Sequence, residues 1–138
     1  ADAGGEGSSG GFILPEFTMC RDGILTSGLV ASMLDEKEFQ DAVDLFDKYF
    51  QIRTKISIPI LYHDKTIERL QEKLHVKYET DLLDGVKIKI NDDSWALIRK
   101  SNTEDIIRLS LESNDMNIIK EKQDEITNLV NESYEEIK

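Results

Sequence analysis

Arg99-Lys100-Ser101-Asn102-Thr103-Glu104 concentrates cations, hydroxyls and an amide in one short run, and Arg108 follows a few positions on. That mixture suits a dianion. Arginine offers a planar fork of donors to phosphate oxygens, Ser and Thr hydroxyls add further bonds, and a tight loop can aim successive backbone N–H groups at one point. A plainer role competes for the same residues: Ser101-x-x-Glu104 has the form of a capping box, or of a polar connection between solvated strand cations.

A second segment, Gly5-Glu6-Gly7-Ser8-Ser9-Gly10-Gly11, reads by composition as a flexible linker. Glu6 breaks that pattern, because an acid beside a hydroxyl such as Ser8 on an adaptable loop is suited to receiving sugar hydroxyls. The remaining candidates carry less chemistry. His63 and His75 stand isolated and read as structural or surface residues, Cys20 as a small buried residue, and Asp92-Asp93 as a hairpin turn rather than a metal site. Asn131-Glu132-Ser133 matches a glycosylation pattern but falls in a helix-forming stretch.

The elements that must position these residues follow from hydrophobic periodicity. Residues 1–11 read as loop, followed by a brief strand at Phe12-Ile13-Leu14 closed by Pro15. Asp22 is placed to cap a helix with Leu25, Leu29 and Met33 on one face. A second helix over residues 37–48 is expected to bury Phe39, Val43 and Phe46. Alternation from Ile52 to Ile60 predicts a half-buried strand. Asp64 then caps a helix presenting Ile67, Leu70 and Leu74.

Asp84-Gly85 signals a turn into a strand with Val86, Ile88 and Ile90, Asn91-Asp92-Asp93 a hairpin into Ser94–Ile98, and Ile107, Leu109 and Leu111 a further strand. A long helix from Asp115 closes the chain, with Met116, Ile119, Ile126, Val130 and Ile137 as a broken apolar stripe. The expected class is α+β: an antiparallel four-stranded sheet with two helices packed on one face, preceded by a loop and a helical segment.

Composition sets the outer bounds. At 138 residues, with 39% hydrophobic and 33% charged, the chain has room for one domain with a core and a short piece of a second. A net charge of −11 sets the overall field against an extended nucleic-acid footprint. A local cluster such as Arg99, Lys100 and Arg108 can still be positive at contact distance. No apolar run is long enough to span a bilayer, one cysteine allows no internal disulfide, and a cytoplasmic location is the plain expectation. The start at Ala1-Asp2-Ala3, lacking Met, looks like a cut through a longer chain.

Arg-x-Ser-Asn-Thr-Glu, preceded by Asp-Gly-Val and a hairpin ending in Trp-x-Leu-x-Arg and followed by Ile-Ile-Arg, resembles the C-terminal signature of the α-D-phosphohexomutases. These include phosphoglucomutase, phosphomannomutase and phosphoglucosamine mutase. Gly5-Glu6-x-Ser8 followed by Arg21-Asp22-Gly23 is similar to the sugar-reading loop of the same family's third domain. The resemblance covers nearly the whole chain. It implies residues 1–48 as the end of the third domain and residues 49–138 as the fourth, with a fold like that of the TATA-box-binding protein. It also implies that Arg99, Ser101, Asn102, Thr103 and Arg108 grip the phosphate of a phosphosugar and that Glu6 and Ser8 read its hydroxyls.

The intact family member interconverts hexose 1-phosphate and hexose 6-phosphate with a phosphoserine and Mg2+ in earlier domains, so no cofactor is expected on this chain and the chain alone is expected to be inactive. Its expected partners are the phosphosugar and those N-terminal domains, with neither nucleic acid nor membrane. Asp105 stands where the family usually has proline, which adds a negative charge and is expected to loosen the backbone. Tyr49–Thr54 is expected to act as the hinge between the domains. The alternatives are a phosphoglucosamine mutase fragment, or a non-catalytic α+β module whose acidic last helix docks a partner.

Overall fold

The computed structural model describes residues 2–6 and 11–138, and the chain divides into two units, Ala1–Phe46 and Asp47–Lys138. In the first unit, β1 (Gly4–Glu6) pairs antiparallel with β2 (Gly11–Ile13), with Gly5 opposite Phe12. β1 lies in the stretch expected to be loop. A strand of two glycines and a glutamate has no apolar alternation to reveal it, and only its backbone pairing defines it.

Helix α1 (Gly23–Met33) begins as the sequence requires: Ile24 N–H and Leu25 N–H donate to Asp22 Oδ1 at 3.0 and 2.9 Å. Helix α2 (Lys37–Phe46) is amphipathic in sequence, yet Val43 and Phe46 are exposed and Phe39 is only half-buried. The expectation of burial fails because an apolar stripe is buried only where another layer covers it, and the described residues of this unit supply no such layer. Cys20 is likewise exposed rather than buried.

The second unit runs β3 (Phe50–Ser57), a 3₁₀ turn (Ile60–Tyr62), α3 (His63–His75), β4 (Glu79–Asp81), β5 (Val86–Asn91), β6 (Ser94–Lys100), β7 (Ile106–Ser113) and α4 (Met116–Glu135). The sheet has five strands in the order β3-β7-β6-β5-β4, each antiparallel to its neighbours, rather than the four expected. The added strand, β4, reads Glu-Thr-Asp and has no hydrophobic signature. It exists because Thr80 and its neighbours pair with Lys87, Ile88 and Lys89.

Strand alternation sends Ile56, Val86, Ile88, Ala96, Ile98, Ile107, Leu109 and Leu111 to one face, all buried. Leu70 and Leu74 of α3 and Ile126 and Val130 of α4 close over them. Each fully buried Ile or Leu contributes about 1.5–3 kcal/mol. The opposite face carries Lys55, Lys87, Lys89, Arg99 and Arg108, all exposed. Phe50–Thr54 lies inside the β3–β7 ladder, so rotation over most of the expected Tyr49–Thr54 hinge would break backbone pairs.

α3 starts one residue before the expected cap. Tyr62 holds the cap position without a side-chain bond, and Asp64 sits in the first turn. His63 is 2% exposed, and its Nε2–H donates to Ile58 O at 2.8 Å, a structural role. Asn91-Asp92-Asp93 makes the turn read from the sequence: Asp93 N–H donates to Asn91 Oδ1 at 2.9 Å and Asp92 pairs with Lys89.

α4 is tied to the α3–β4 connection through Glu125, which accepts from Lys122 Nζ at 2.7 Å, Tyr78 Oη at 3.3 Å and Lys77 Nζ at 3.5 Å. The bond from Lys122 holds the Glu125 carboxyl below its ordinary 4.5, against the opposing effect of burial. A value depressed in the folded state gives stabilisation that is complete above the unfolded value and is lost as pH falls through the folded one. Urea midpoints between about pH 7 and pH 3 are therefore expected to fall on the acid side, and less steeply for Glu125→Gln. Parallel profiles would contradict this assignment.

Candidate anion-binding site

β6 carries Arg99 to the open face of the sheet one residue after core Ile98, and β7 carries Arg108 to the same face directly opposite it. β3 then sets Lys55 opposite Arg108, so Lys55, Arg108 and Arg99 form one rung across three strands. Like charges directly opposed in a rung destabilise a sheet unless anions lie among them.

Two carboxylates do so here. Asp84 Oδ2 is 3.1 Å from Arg99 Nη1, while Glu104 accepts from Arg108 Nη2 at 2.6 Å and from Lys55 Nζ at 3.4 Å. Arg108 in the first place, with Lys55, holds the Glu104 carboxyl below the ordinary range. Lys100 points the other way and pairs with Asp64 on the first turn of α3, lowering that carboxyl too.

The loop between β6 and β7 is wound on Ser101, which is 5% exposed. Ser101 N–H donates to Ile106 O at 3.0 Å, and Ser101 Oγ accepts from Glu104 N–H at 3.2 Å and Thr103 N–H at 3.4 Å. This is the capping geometry that competed with the anion reading, and the two are compatible, because an accepting hydroxyl keeps its hydrogen as a donor. The side chains of Asn102 and Thr103 are exposed.

Asp105 does not leave its surroundings loose. Its Oδ1 accepts from Ile60 N–H at 2.8 Å and its carbonyl from Ile58 N–H at 3.0 Å, fastening the loop to the 58–60 segment. Ser101→Ala is expected to cost about 0.5–2 kcal/mol by stranding two loop amides. Amide hydrogen exchange should then quicken at Thr103 and Glu104, and unchanged exchange would place the loop's stability elsewhere.

A cleft of about 330 Å³ opens between α3 and the ends of β5 and β6, lined by Asp64, Asp84, Arg99, Lys100 and Asn102 among others. The structure thus gathers Arg99 and Asn102 at one cleft beside Ser101, while Arg108 shares Arg99's rung but turns its guanidinium to Glu104. Glu6 lies in β1 opposite Gly11, and Ser8 falls outside the described residues. Sequence reasoning missed Lys55 and Asp84. Alternation could assign Lys55 to the polar face of β3, but its position in the rung depends on a register that no local pattern carries.

Each unit matches a model of the same family. The model described as "Phosphoglucomutase/phosphomannomutase, C-terminal domain" matches residues 60–129, and that described as "Phosphoglucomutase/phosphomannomutase, alpha/beta/alpha domain III" matches residues 1–51. The chain belongs to the phosphoglucomutase/phosphomannomutase family. Relatives include a probable phosphoglucosamine mutase of Methanobrevibacter smithii, 37% identical over 81% of this chain and 26% of that protein. A phosphoglucomutase/phosphomannomutase of Thermococcus kodakarensis is 36% identical over 80% of this chain and 24% of that protein.

A crystal structure of a phosphoglucomutase/phosphomannomutase family protein from Burkholderia thailandensis shares the fold at a TM-score of 0.69, with 18% identity over 96% of this chain and 28% of that one. The chain therefore spans about a quarter of the length of the relatives it matches. No described helix is long and apolar enough to cross a membrane.

Proposed function

We propose that this chain is the phosphate-gripping and hydroxyl-reading part of a phosphohexomutase, a cytosolic enzyme interconverting hexose 1-phosphate and hexose 6-phosphate. Residues 1–48 belong in this reading to the sugar-binding third domain, with Glu6 and Ser8 on its specificity loop, and residues 49–138 form the phosphate-binding fourth. The observation that carries it is the wound loop at Ser101, which sets Arg99 and Asn102 at one cleft in a chain of this family. A phosphate held there leaves the sugar's other end free to meet a reacting group elsewhere.

Among the described residues no three His, Cys, Asp or Glu side chains converge to hold a magnesium ion. It belongs, with the reacting serine, to the portion of the longer protein outside this chain, and the chain alone is inactive. A glucosamine phosphate is the second candidate substrate, favoured by the M. smithii relative being named a probable phosphoglucosamine mutase.

Amide NMR titration of the chain with glucose 1-phosphate, with glucose as control, tests the clamp. Shifts centred on Arg99–Thr103, absent with glucose and saturating on the order of millimolar, are expected. An unmoved loop up to roughly tens of millimolar would overturn it.

A further inference from the structure

We propose that Lys55 is an additional phosphate-binding residue of this site, held in the free chain by Glu104, which the ligand's phosphate displaces. The proposal rests on the phosphate-clamp reading above and adds to it a residue from a different strand. Lys55, Arg108 and Arg99 are direct neighbours across β3, β7 and β6, and alternation puts all three on the open face. Such a rung of cations is unfavourable unless an anion lies among them. In the free chain Glu104 supplies that anion for two of the three, with one carboxylate divided between Arg108 at 2.6 Å and Lys55 at 3.4 Å.

The division is uneven. Arg108 has the short contact, and the Lys55 side chain, at 67% exposure, is held only at the outer limit of a hydrogen bond. Glu104 is the residue after Thr103, so an anion seated on the loop arrives beside the carboxylate that now holds Lys55. A phosphate monoester brings up to two negative charges and three acceptor oxygens where Glu104 offers one charge and two. Exchange of Glu104 for the ligand is therefore favoured at the rung. Lys55's flexible stem can follow the phosphate, whereas Arg99's planar fork fixes its direction.

The test is an amide NMR titration with glucose 1-phosphate at constant ionic strength, on the 138-residue chain and its Lys55→Gln, Glu104→Gln and double variants. Lys55 is exposed, so its replacement leaves the fold intact, and the amide spectrum itself verifies that. Lys55→Gln is expected to weaken binding about 3- to 10-fold, and Glu104→Gln to tighten it by removing the competing carboxylate. The double variant should lose most of that gain, because the two residues act on one another.

If Lys55→Gln and the double variant bind like their Lys55 counterparts while the loop amides still shift, Lys55 lies outside the site and the clamp stands without it. If neither the parent chain nor Glu104→Gln shifts the Arg99–Thr103 amides, the clamp reading and the role of Lys55 fall together.

Discussion

Gly85→Ala is expected to destabilise the C-terminal unit by about 2–4 kcal/mol and to drive Arg99 from its position at the cleft. Gly85 turns the chain into β5 with φ at +88°, a region that residues with a Cβ rarely occupy. A methyl there would lie 2.3 Å from the carbonyl oxygen of Ile98 and 3.0 Å from Cγ of Arg99. The first contact is with backbone in the middle of the sheet, so no rotamer change relieves it. The second bears on the residue expected to hold the ligand.

Urea unfolding measures the first effect, with Gly28→Ala as comparison. A Cβ at Gly28 meets nothing within 4 Å, and alanine inside α1 should gain up to about 1 kcal/mol. A Gly85→Ala midpoint within error of the parent would show that the β4–β5 turn yields more readily than its geometry implies.

Arg99→Gln should lower affinity for a phosphate monoester about 10- to 100-fold, since each bond from a charged donor contributes about 1.5–3 kcal/mol and the guanidinium can offer two in parallel. Its stability should change little. The Arg99–Asp84 pair is exposed on both sides, at 53% and 64%, and such pairs are worth at most about 1 kcal/mol.

Arg99→Lys should recover only part of the binding, because an ammonium restores charge without the fork. Loss of affinity together with a fall in the urea midpoint would recast Arg99 as a structural residue. Full recovery by lysine would mean that charge, not geometry, is what the site uses. The two substitutions are complementary: Gly85 tests the support beneath Arg99, and Arg99 tests the contact itself.

The parts of this chain legible in its sequence are those determined within one or two turns of structure. Asp22 caps α1 because its side chain reaches N–H groups two and three residues on, a local geometry that spacing reveals. The alternation of Val86 and Ile88, and of Ile107, Leu109 and Leu111, announces strands with one buried face, and Leu70 and Leu74 announce a helix packed on it. The donor-rich run at Arg99–Glu104 is equally visible, since composition alone shows it.

Tertiary structure decided the rest. β1 and β4 have no apolar pattern and exist through their pairing partners, and β4 is how a sheet read as four-stranded has five. Phe39, Val43 and Phe46 have the spacing of a buried face, but burial requires a second layer, and spacing cannot supply one.

At the site the distinction is the same. The sequence determined which donors the loop contains. Only the register of β3 against β7 and of β7 against β6 decided that Lys55, Arg108 and Arg99 share a rung, and that Glu104 stands between two of them. Side-chain periodicity is a property of neighbouring residues, whereas register is a property of whole strands brought together by the core they bury, and a shift of any one of these strands by one residue would have sent its cation to the other face.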